Sequence, residues 1–469
     1  LGVLYKLLGL YGKAEQRYQE ALAIREKALD PKHPNIANSF NNLGSLYKSL
    51  GLHSKAEEAY FRALNIAEAA FGPEHPVTAT IVDNLAVLYH SQGLLTNAEP
   101  LYLSSLEIRK KTLGSEHRET VTSLQNLAGL YFAQGHLEKA ELFFLQALES
   151  NEKILGSDHI GTATTLNNLA ALYALQKRHR KAVPLYQRSL KSTEKTLGID
   201  HPDTLQTLNN LAQTQLALNN TSAAFPLLRR LITAQVRFIQ REVPAMPRQQ
   251  REQLIATLLD NHLLPFSFAT ASASGAELAL FSRLNRQGLL QEIEQRQAQL
   301  ASLPGAQQPL LSQLRSLTAR LSDIQLSPAQ RQQLQQQRDA LERQLYQLLP
   351  NLSPRVVDIS QVAAQLPARS ALLEFQRFSP YDPTKPPGQR DAPPRYLALL
   401  LKPDRSITAI DLGPAQALEA NLRRAITASE QMLADADTLW ASLSTQLLTP
   451  LAPALQGLDT LLSLIHISE

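Results

Sequence analysis

The chain has 469 residues, 44% of them apolar and 19% charged, which is globular material rather than a disordered tail. Its 46 basic and 42 acidic residues are intermixed at a net charge of +4, without the Lys/Arg-rich run of a nucleic-acid surface, so no nucleic-acid partner is expected. The absence of cysteine excludes disulfides, thiolate metal sites and a cysteine nucleophile in this chain, and no apolar stretch is long enough to span a bilayer, so no membrane partner is expected either.

From the start, one phrase recurs. "NNLGSLY" begins at 41, "DNLAVLY" at 83, "QNLAGLY" at 125, "NNLAALY" at 167 and "NNLAQTQ" at 209, each 42 residues beyond the last. An unbroken period of this size predicts a solenoid. Leu1 occupies the place of Leu43 one copy earlier, so the chain opens inside a repeat. Leu43, Leu46, Tyr47 and Leu50 follow helical spacing, and Gly51 ends that helix. A second helix carries Ala56, Tyr60, Ala63 and Leu64, and its alanine recurs as Ala14, Ala98, Ala140, Ala182 and Ala224. A residue without bulk there lets the two helices of a unit approach closely.

The loop between units reads "DPKHP", "GPEHP", "GSEHR", "GSDHI" and "GIDHP", with His33, His75, His117, His159 and His201. Successive loops lie in different repeats, and no second ligand falls at helical spacing, so each histidine is read as a cap for the next helix. No metal site is expected. The sixth copy decays, with Gln215 for the tyrosine and Asn219 for the glycine, as terminal repeats do.

Leu-Gly-x-x-Tyr, a glycine four residues on, then Ala-x-x-x-Tyr resembles the tetratricopeptide repeat signature over residues 1–240. The longer period is similar to the repeats of kinesin light chains and of many bacterial regulators. The second asparagine of the phrase, Asn42, Asn84, Asn126, Asn168 and Asn210, shares a helix face with Thr80, Thr122 and Thr164 in three copies. The resemblance implies that this face lines a concave groove holding a peptide or protein partner. An amide suits that task, offering a donor and an acceptor to an extended backbone. A second reading stands beside it, in which each asparagine bonds to the neighbouring repeat and only stabilises the stack.

Residues 241–350 leave the repeat register, interrupted by Pro244, Pro247 and Pro265. Leu310, Leu314, Leu317, Leu321 and Ile324, then, after Ser327-Pro328, Leu334, Leu341, Leu345 and Leu348, predict an antiparallel helical hairpin. Over 354–469 the period shortens. "RVVDI" and "ALLEFQRF" read as strands, and "RYLALLLK" and "SITAIDLG" flank Pro403-Asp404 as a β-hairpin. Helices are expected near 415–434 and 438–449, with a further strand in "LDTLLSLI".

The run "LNRQGLL" at 284–290, then "ALLEFQRFSPYDP", "PPRYLALLLKPD" and "IDLGPAQAL", resembles the CHAT family, in which a caspase-like domain follows repeat arrays. The resemblance implies that 354–469 is the N-terminal part of such an α/β domain, with the catalytic histidine and cysteine further on. The closing "SLIHISE" departs from the family's continuation, so truncation is expected there.

No site chemistry is found within the chain. Around Gly12-Lys13, Leu7 and Ala14 replace the residues a Walker loop needs, and the Glu57-Glu58 pair is read as solvated. No catalytic residue and no cofactor are expected. The expected fold is mainly α: a repeat solenoid, a helical hairpin, then the beginning of an α/β caspase-like domain. The expected role is protein interaction and regulation in the cytoplasm, with the front of an active cysteine peptidase, or a pure adaptor, as alternatives.

Overall fold

The computed structural model describes residues 2–7, 11–242, 263–286, 289–301, 305, 308–321, 326, 328–349, 353–383, 385 and 389–463. Pro244, Pro247, Ile324, Ser327 and His466 lie outside them. Helices pair along the first half: α1 (Gly2–Leu7) with α2 (Tyr11–Ala28), α3 (Pro34–Ser49) with α4 (His53–Phe71), and α5 (Pro76–Ser91) with α6 (Leu95–Leu113). The series continues with α7 (Arg118–Ala133) and α8 (Leu137–Leu155), α9 (Ile160–Leu175) and α10 (His179–Leu197), then α11 (Pro202–Ala217) and α12 (Thr221–Glu242).

Next come α13 (Ala273–Arg286), α14 (Leu289–Ala301), α15 (Gln308–Leu321), α16 (Pro328–Leu348) and α17 (Ile359–Gln365). Strands β1 (Ser370–Phe378), β2 (Arg395–Leu401) and β3 (Ile407–Pro414) lead into α18 (Ala415–Glu430) and α19 (Ala436–Leu448), and β4 (Thr460–Leu462) follows. The fold is thus mainly helical, a repeat solenoid with a small sheet late in the chain. It divides into two compact units, one of Leu1–Gly198 with Pro304–Leu345, the other of Ile199–Leu303 with Tyr346–Glu469.

In the first unit the recurrent alanines do what their size predicts: Ala14, Ala56, Ala98, Ala140 and Ala182 are fully buried. Tyr60 and Ala56 of α4 pack against Leu85 and Leu88 of the following helix, so each unit completes its core only with its neighbour. Gly2 and Gly44 stand where the later copies have alanine, and a Cβ there would meet the Tyr18 ring at 2.7 Å and the Tyr60 ring at 2.8 Å. The first helix of a unit ends on a left-handed residue: Gly51, Gly93 and Gly135 at φ +70°, +76° and +76°, and Lys177 at φ +59° in the fourth such turn. The hairpin forms as the leucine spacing predicts, Leu317 and Leu321 of α15 packing on Leu334 of α16 with Leu341 beside them. Leu311 is buried there, while Leu310 is only half-buried.

In the second unit the sheet order is β3-β2-β1-β4, with β1–β2 and β2–β3 antiparallel and β4 parallel to β1. One face is apolar: Ala371, Leu373, Ala398, Leu400 and Leu412 pack against Leu418 of α18 and Leu443 of α19. The expected β-hairpin closes at Asp404, whose Oδ1 accepts from the Ser406 backbone N–H and hydroxyl. The "RVVDI" run is extended but is not a strand, which corrects the sequence expectation. Its backbone is held by side-chain amides instead. Gln240 Oε1 accepts from the Arg355 N–H at 2.8 Å, and Asn285 accepts from the Val357 N–H and donates to its carbonyl at 2.7 and 3.0 Å. Asp358 then caps α17.

Candidate functional site

The candidate site is the face of the first helices that carries the second asparagine. In the first unit Asn42, Asn84, Asn126 and Asn168 are all half-buried, flanked by exposed Asn38, Thr122 and Thr164. Two of the four amides are engaged by the stack. Asn84 Nδ2 donates to Asn41 Oδ1 and Asn126 Nδ2 to Asp83 Oδ2, both at 2.9 Å, so each reaches one residue short of its own position in the preceding copy. Asn168 makes no side-chain hydrogen bond among the described residues; Gln125, which stands where its partner would, donates to Thr165 Oγ1 instead. The matching partner of Asn42 would precede residue 1, so Asn42 distinguishes neither reading. The stacking reading holds for Asn84 and Asn126. Asn210, half-buried, belongs to the second unit.

The threonines differ among themselves. Thr80, Thr122 and Thr164 each donate to the carbonyl four residues before, at 3.0, 3.1 and 3.0 Å. Thr80 is half-buried and also accepts from Arg109 Nη2 at 3.1 Å, which ties it into the stack.

Beneath the strip lies a polar clamp that the sequence reading missed. Arg109 on α6, 4% exposed, donates to the Glu119 carbonyl and to Ser123 Oγ at 3.2 and 2.7 Å, and its guanidinium lies 3.7 Å from Asp83. The same two bonds occur one period later, from Asn151 to the Gly161 carbonyl and Thr165, and two periods earlier, from Arg25 to the Asn35 carbonyl and Ser39. In the second copy the pair is apolar, Ala67 against Ile81. Burial raises the Asp83 carboxyl above the usual carboxylate range, opposed by the Arg109 charge and the Asn126 hydrogen bond. The column was illegible because its residue type changes from copy to copy, although its period does not.

A second ladder uses the tyrosines of the repeat phrase. Tyr47, Tyr89, Tyr131 and Tyr173 donate to Glu15, Glu57, Glu99 and Glu141 at 3.1, 2.5, 3.0 and 2.9 Å. Glu57, expected to be solvated, is therefore a structural acceptor; burial and this partner push the Tyr89 hydroxyl up to about 12. The loop histidines are caps, as expected. His33, His75, His117, His159 and His201 each accept at Nδ1 from the backbone N–H two residues on, at 3.0 to 3.3 Å. Among the described residues no group of His, Asp and Glu stands where it could hold a metal ion, and no helix is long and apolar enough to cross a membrane.

In the second unit the strip of the last copy is met by the proline-rich loop after β1. Tyr381 Oη donates to Gln213 Oε1 at 3.2 Å, and Arg390 Nη1 donates to Tyr381 Oη at 2.9 Å with its guanidinium over that ring. The Tyr381 N–H donates to Ser267 Oγ at 2.8 Å. Gln213 shares a helix face with Gln206, Asn210 and Ala217.

Paired helices repeating every 42 residues, each pair closing its core on the next, define an α-solenoid. The family profile described as tetratricopeptide repeat matches residues 1–69, 77–153, 144–195 and 161–235, so the first half of the chain carries tetratricopeptide repeats. No curated protein matches the chain. Among solved structures it is similar to BtubC (BKLC) from P. vanneervenii, 23% identical over 49% of this chain and 89% of that one, with a TM-score of 0.41. It is also similar to a putative kinesin light chain of Podosopora anserina with nearly identical TPR-like repeats, 28% identical over 43% and 96%, TM-score 0.39. A third is the Rap conjugation gene regulator of plasmid pLS20 in complex with the Phr* peptide, 14% identical over 67% and 76%, TM-score 0.36.

Proposed function

We propose that this chain is a protein-interaction and regulatory segment whose repeat helices bind an extended peptide or protein partner along the asparagine strip. The observation that carries this reading is the half-buried amide of Asn168, which makes no side-chain hydrogen bond among the described residues. It offers two donors and an acceptor, and Asn84 and Asn126 keep an amide oxygen at the same place of their own copies. An extended backbone presents complementary groups at regular intervals, so a partner is held without a demand for one particular side chain.

In the same reading, residues 1–240 act as the recognition domain, 241–350 as a helical connector, and 354–469 as the N-terminal part of a caspase-like domain of the CHAT type. The four-stranded mixed sheet flanked by helices supports this over a pure adaptor. The contact of Tyr381 and Arg390 with Gln213 supports a coupling of that domain to the last repeat. The chain has no cysteine, so these residues hold no thiol nucleophile of the caspase-like kind. A histidine and a cysteine encoded beyond residue 469 make the parent an active peptidase; their absence makes it a pseudo-enzyme.

The groove is tested by selecting short random peptides on the full chain and mapping a photo-reactive version of the enriched peptide. Crosslinks to α3, α5, α7 and α9 are expected. Crosslinks confined to α4, α6 and α8, or no enrichment at all, contradict the reading.

A further inference from the structure

In the second unit the helix pair α18 and α19 turns an apolar stripe outward. Leu422, Ile426, Ser429 and Leu433 recur at the spacing of one helix face, and all four are exposed. The buried side of α18 is a different one, carrying Leu418, Ala425 and Ala428. Trp440 of α19, the chain's single tryptophan, reaches the stripe. Its Nε1–H donates to Ser429 Oγ at 2.7 Å, and the residue stays exposed. Ser429 separates Ile426 from Leu433, so the indole closes the gap between them. The turn after α18 adds a further apolar side chain. The Leu433 N–H donates to the Ala428 carbonyl at 2.8 Å and the Met432 N–H to that of Ser429 at 3.1 Å, a helix ending that calls for a left-handed residue. Glycine is the usual choice there, yet the residue is Met432, at φ +51° and 92% exposed.

Single exposed leucines are ordinary on any surface, but these side chains meet in one place and include a tryptophan and a methionine, residue types enriched where proteins touch. The charge beside them has one sign. Glu430, Asp435 and Asp437 flank Leu433 and Trp440, and their side chains make no hydrogen bond or ion pair among the described residues. After Arg424 the helix pair contains no Lys or Arg at all. Asp435 and Asp437 stand at the start of α19, where a helix dipole favours them. Glu430 is the last residue of α18, the end at which the dipole disfavours an anion, so the helices themselves do not account for it.

We propose that this face of α18 and α19 is a docking site for an amphipathic helix of a protein partner, one whose apolar side is edged by Lys or Arg. Such a helix lies alongside α18, because its own apolar residues repeat at the spacing of Leu422, Ile426 and Leu433. Trp440 and the flexible Met432 fill the space at the end of the stripe. Its cations face Glu430, Asp435 and Asp437, which selects this partner over an apolar helix edged by carboxylates. None of these residues belongs to the asparagine strip, so this face and the groove stand or fall separately.

The single tryptophan reports on the site directly. The probe is a model amphipathic helix of leucine and lysine titrated into the full chain, with a leucine–glutamate helix as its counterpart of opposite charge. The leucine–lysine helix is expected to shift Trp440 emission to the blue, saturably and more weakly with added salt, and the leucine–glutamate helix to leave it unchanged. Leu422→Ser/Ile426→Ser and Glu430→Gln/Asp435→Asn/Asp437→Asn, all at exposed positions, are each expected to weaken the binding about tenfold. Unchanged emission, an equal response to both helices, salt-independent binding by wild type, or full binding by either variant overturns the proposal. A shift that grows with protein concentration alone assigns the face to a second copy of the chain. A shift with phosphatidylcholine–phosphatidylserine vesicles but not with the helix assigns it to a lipid surface. Either result overturns the proposal as well.

Discussion

The Asn126 side-chain nitrogen donates to the Asp83 carboxylate at 2.9 Å, joining the first helix of one repeat to the first helix of the repeat before it. Asp83 is 5% exposed, so that bond satisfies a group that water does not reach. Asn126→Ala leaves the carboxylate short of a donor and is expected to destabilise the array by about 1–3 kcal/mol. Asn168→Ala, which breaks no stack bond among the described residues, is expected to stay within about 0.5 kcal/mol of wild type. Urea unfolding of the two variants checks this; equal losses contradict the division of the asparagines into stack and strip.

Arg109 and Asp83 form the buried charge pair of the first unit, and Arg109→Leu removes only one of them. The stranded carboxylate is expected to cost about 3–5 kcal/mol, and Asp83→Asn in the same chain is expected to restore most of it. Ala67, in the place of Arg109 one period earlier, shows that an apolar residue fits there. The sign with pH follows from burial, which raises the Asp83 carboxyl above its ordinary 3.8. A raised carboxyl favours folding below 3.8 and loses that contribution as pH rises through its folded-state value. The Arg109→Leu deficit is therefore expected to shrink on acidification, measured as the difference in melting temperature from wild type at each pH.

His159 accepts the Gly161 N–H at 3.0 Å only while its Nδ1 is unprotonated. Burial and then the Arg118 charge lower it from the ordinary 6.5, so the neutral form is the folded one. Its contribution is present above 6.5 and is lost as pH falls through the lowered folded-state value. His159→Ala is expected to cost about 0.5–1 kcal/mol at neutral pH and almost nothing once the wild-type ring is protonated, read from paired denaturation curves. A cost unchanged in acid contradicts the capping role.

Tyr381 links the loop after β1 to Gln213 through its hydroxyl. Tyr381→Phe keeps the ring under Arg390 and removes the hydroxyl's hydrogen bonds to Gln213 and from Arg390, so global stability is expected to drop by about 1–3 kcal/mol or less. Faster amide exchange over residues 379–383 and 389–394, with the sheet unchanged, is the expected signature. Unchanged exchange in the loop shows that Gln213 does not hold it.

The repeat part was legible because its signals are periodic. Ala14 and its copies, the capping histidines and the hairpin leucines each follow from size, turn chemistry or spacing, and the structure uses them accordingly. The "RVVDI" run was misread because β-branched residues signal an extended backbone, not the source of its partners. Gln240 and Asn285 supply those partners from 115 and 72 residues away, which no local pattern reveals. The Arg25, Arg109 and Asn151 clamp was missed for a different reason: its geometry repeats while its residue type does not. For the candidate strip, the sequence identified the face, but only coordinates separate Asn84 and Asn126, bonded to neighbours, from Asn168.

The central claim is that the unengaged amide of Asn168 grips a partner. Its most direct test is the affinity of a library-selected peptide for the full wild-type chain and for Asn168→Ala, with both melting curves recorded. The account predicts matching melting curves and binding weakened about tenfold, as the loss of a backbone-directed hydrogen bond requires. Equal affinity in a variant that melts like wild type contradicts it.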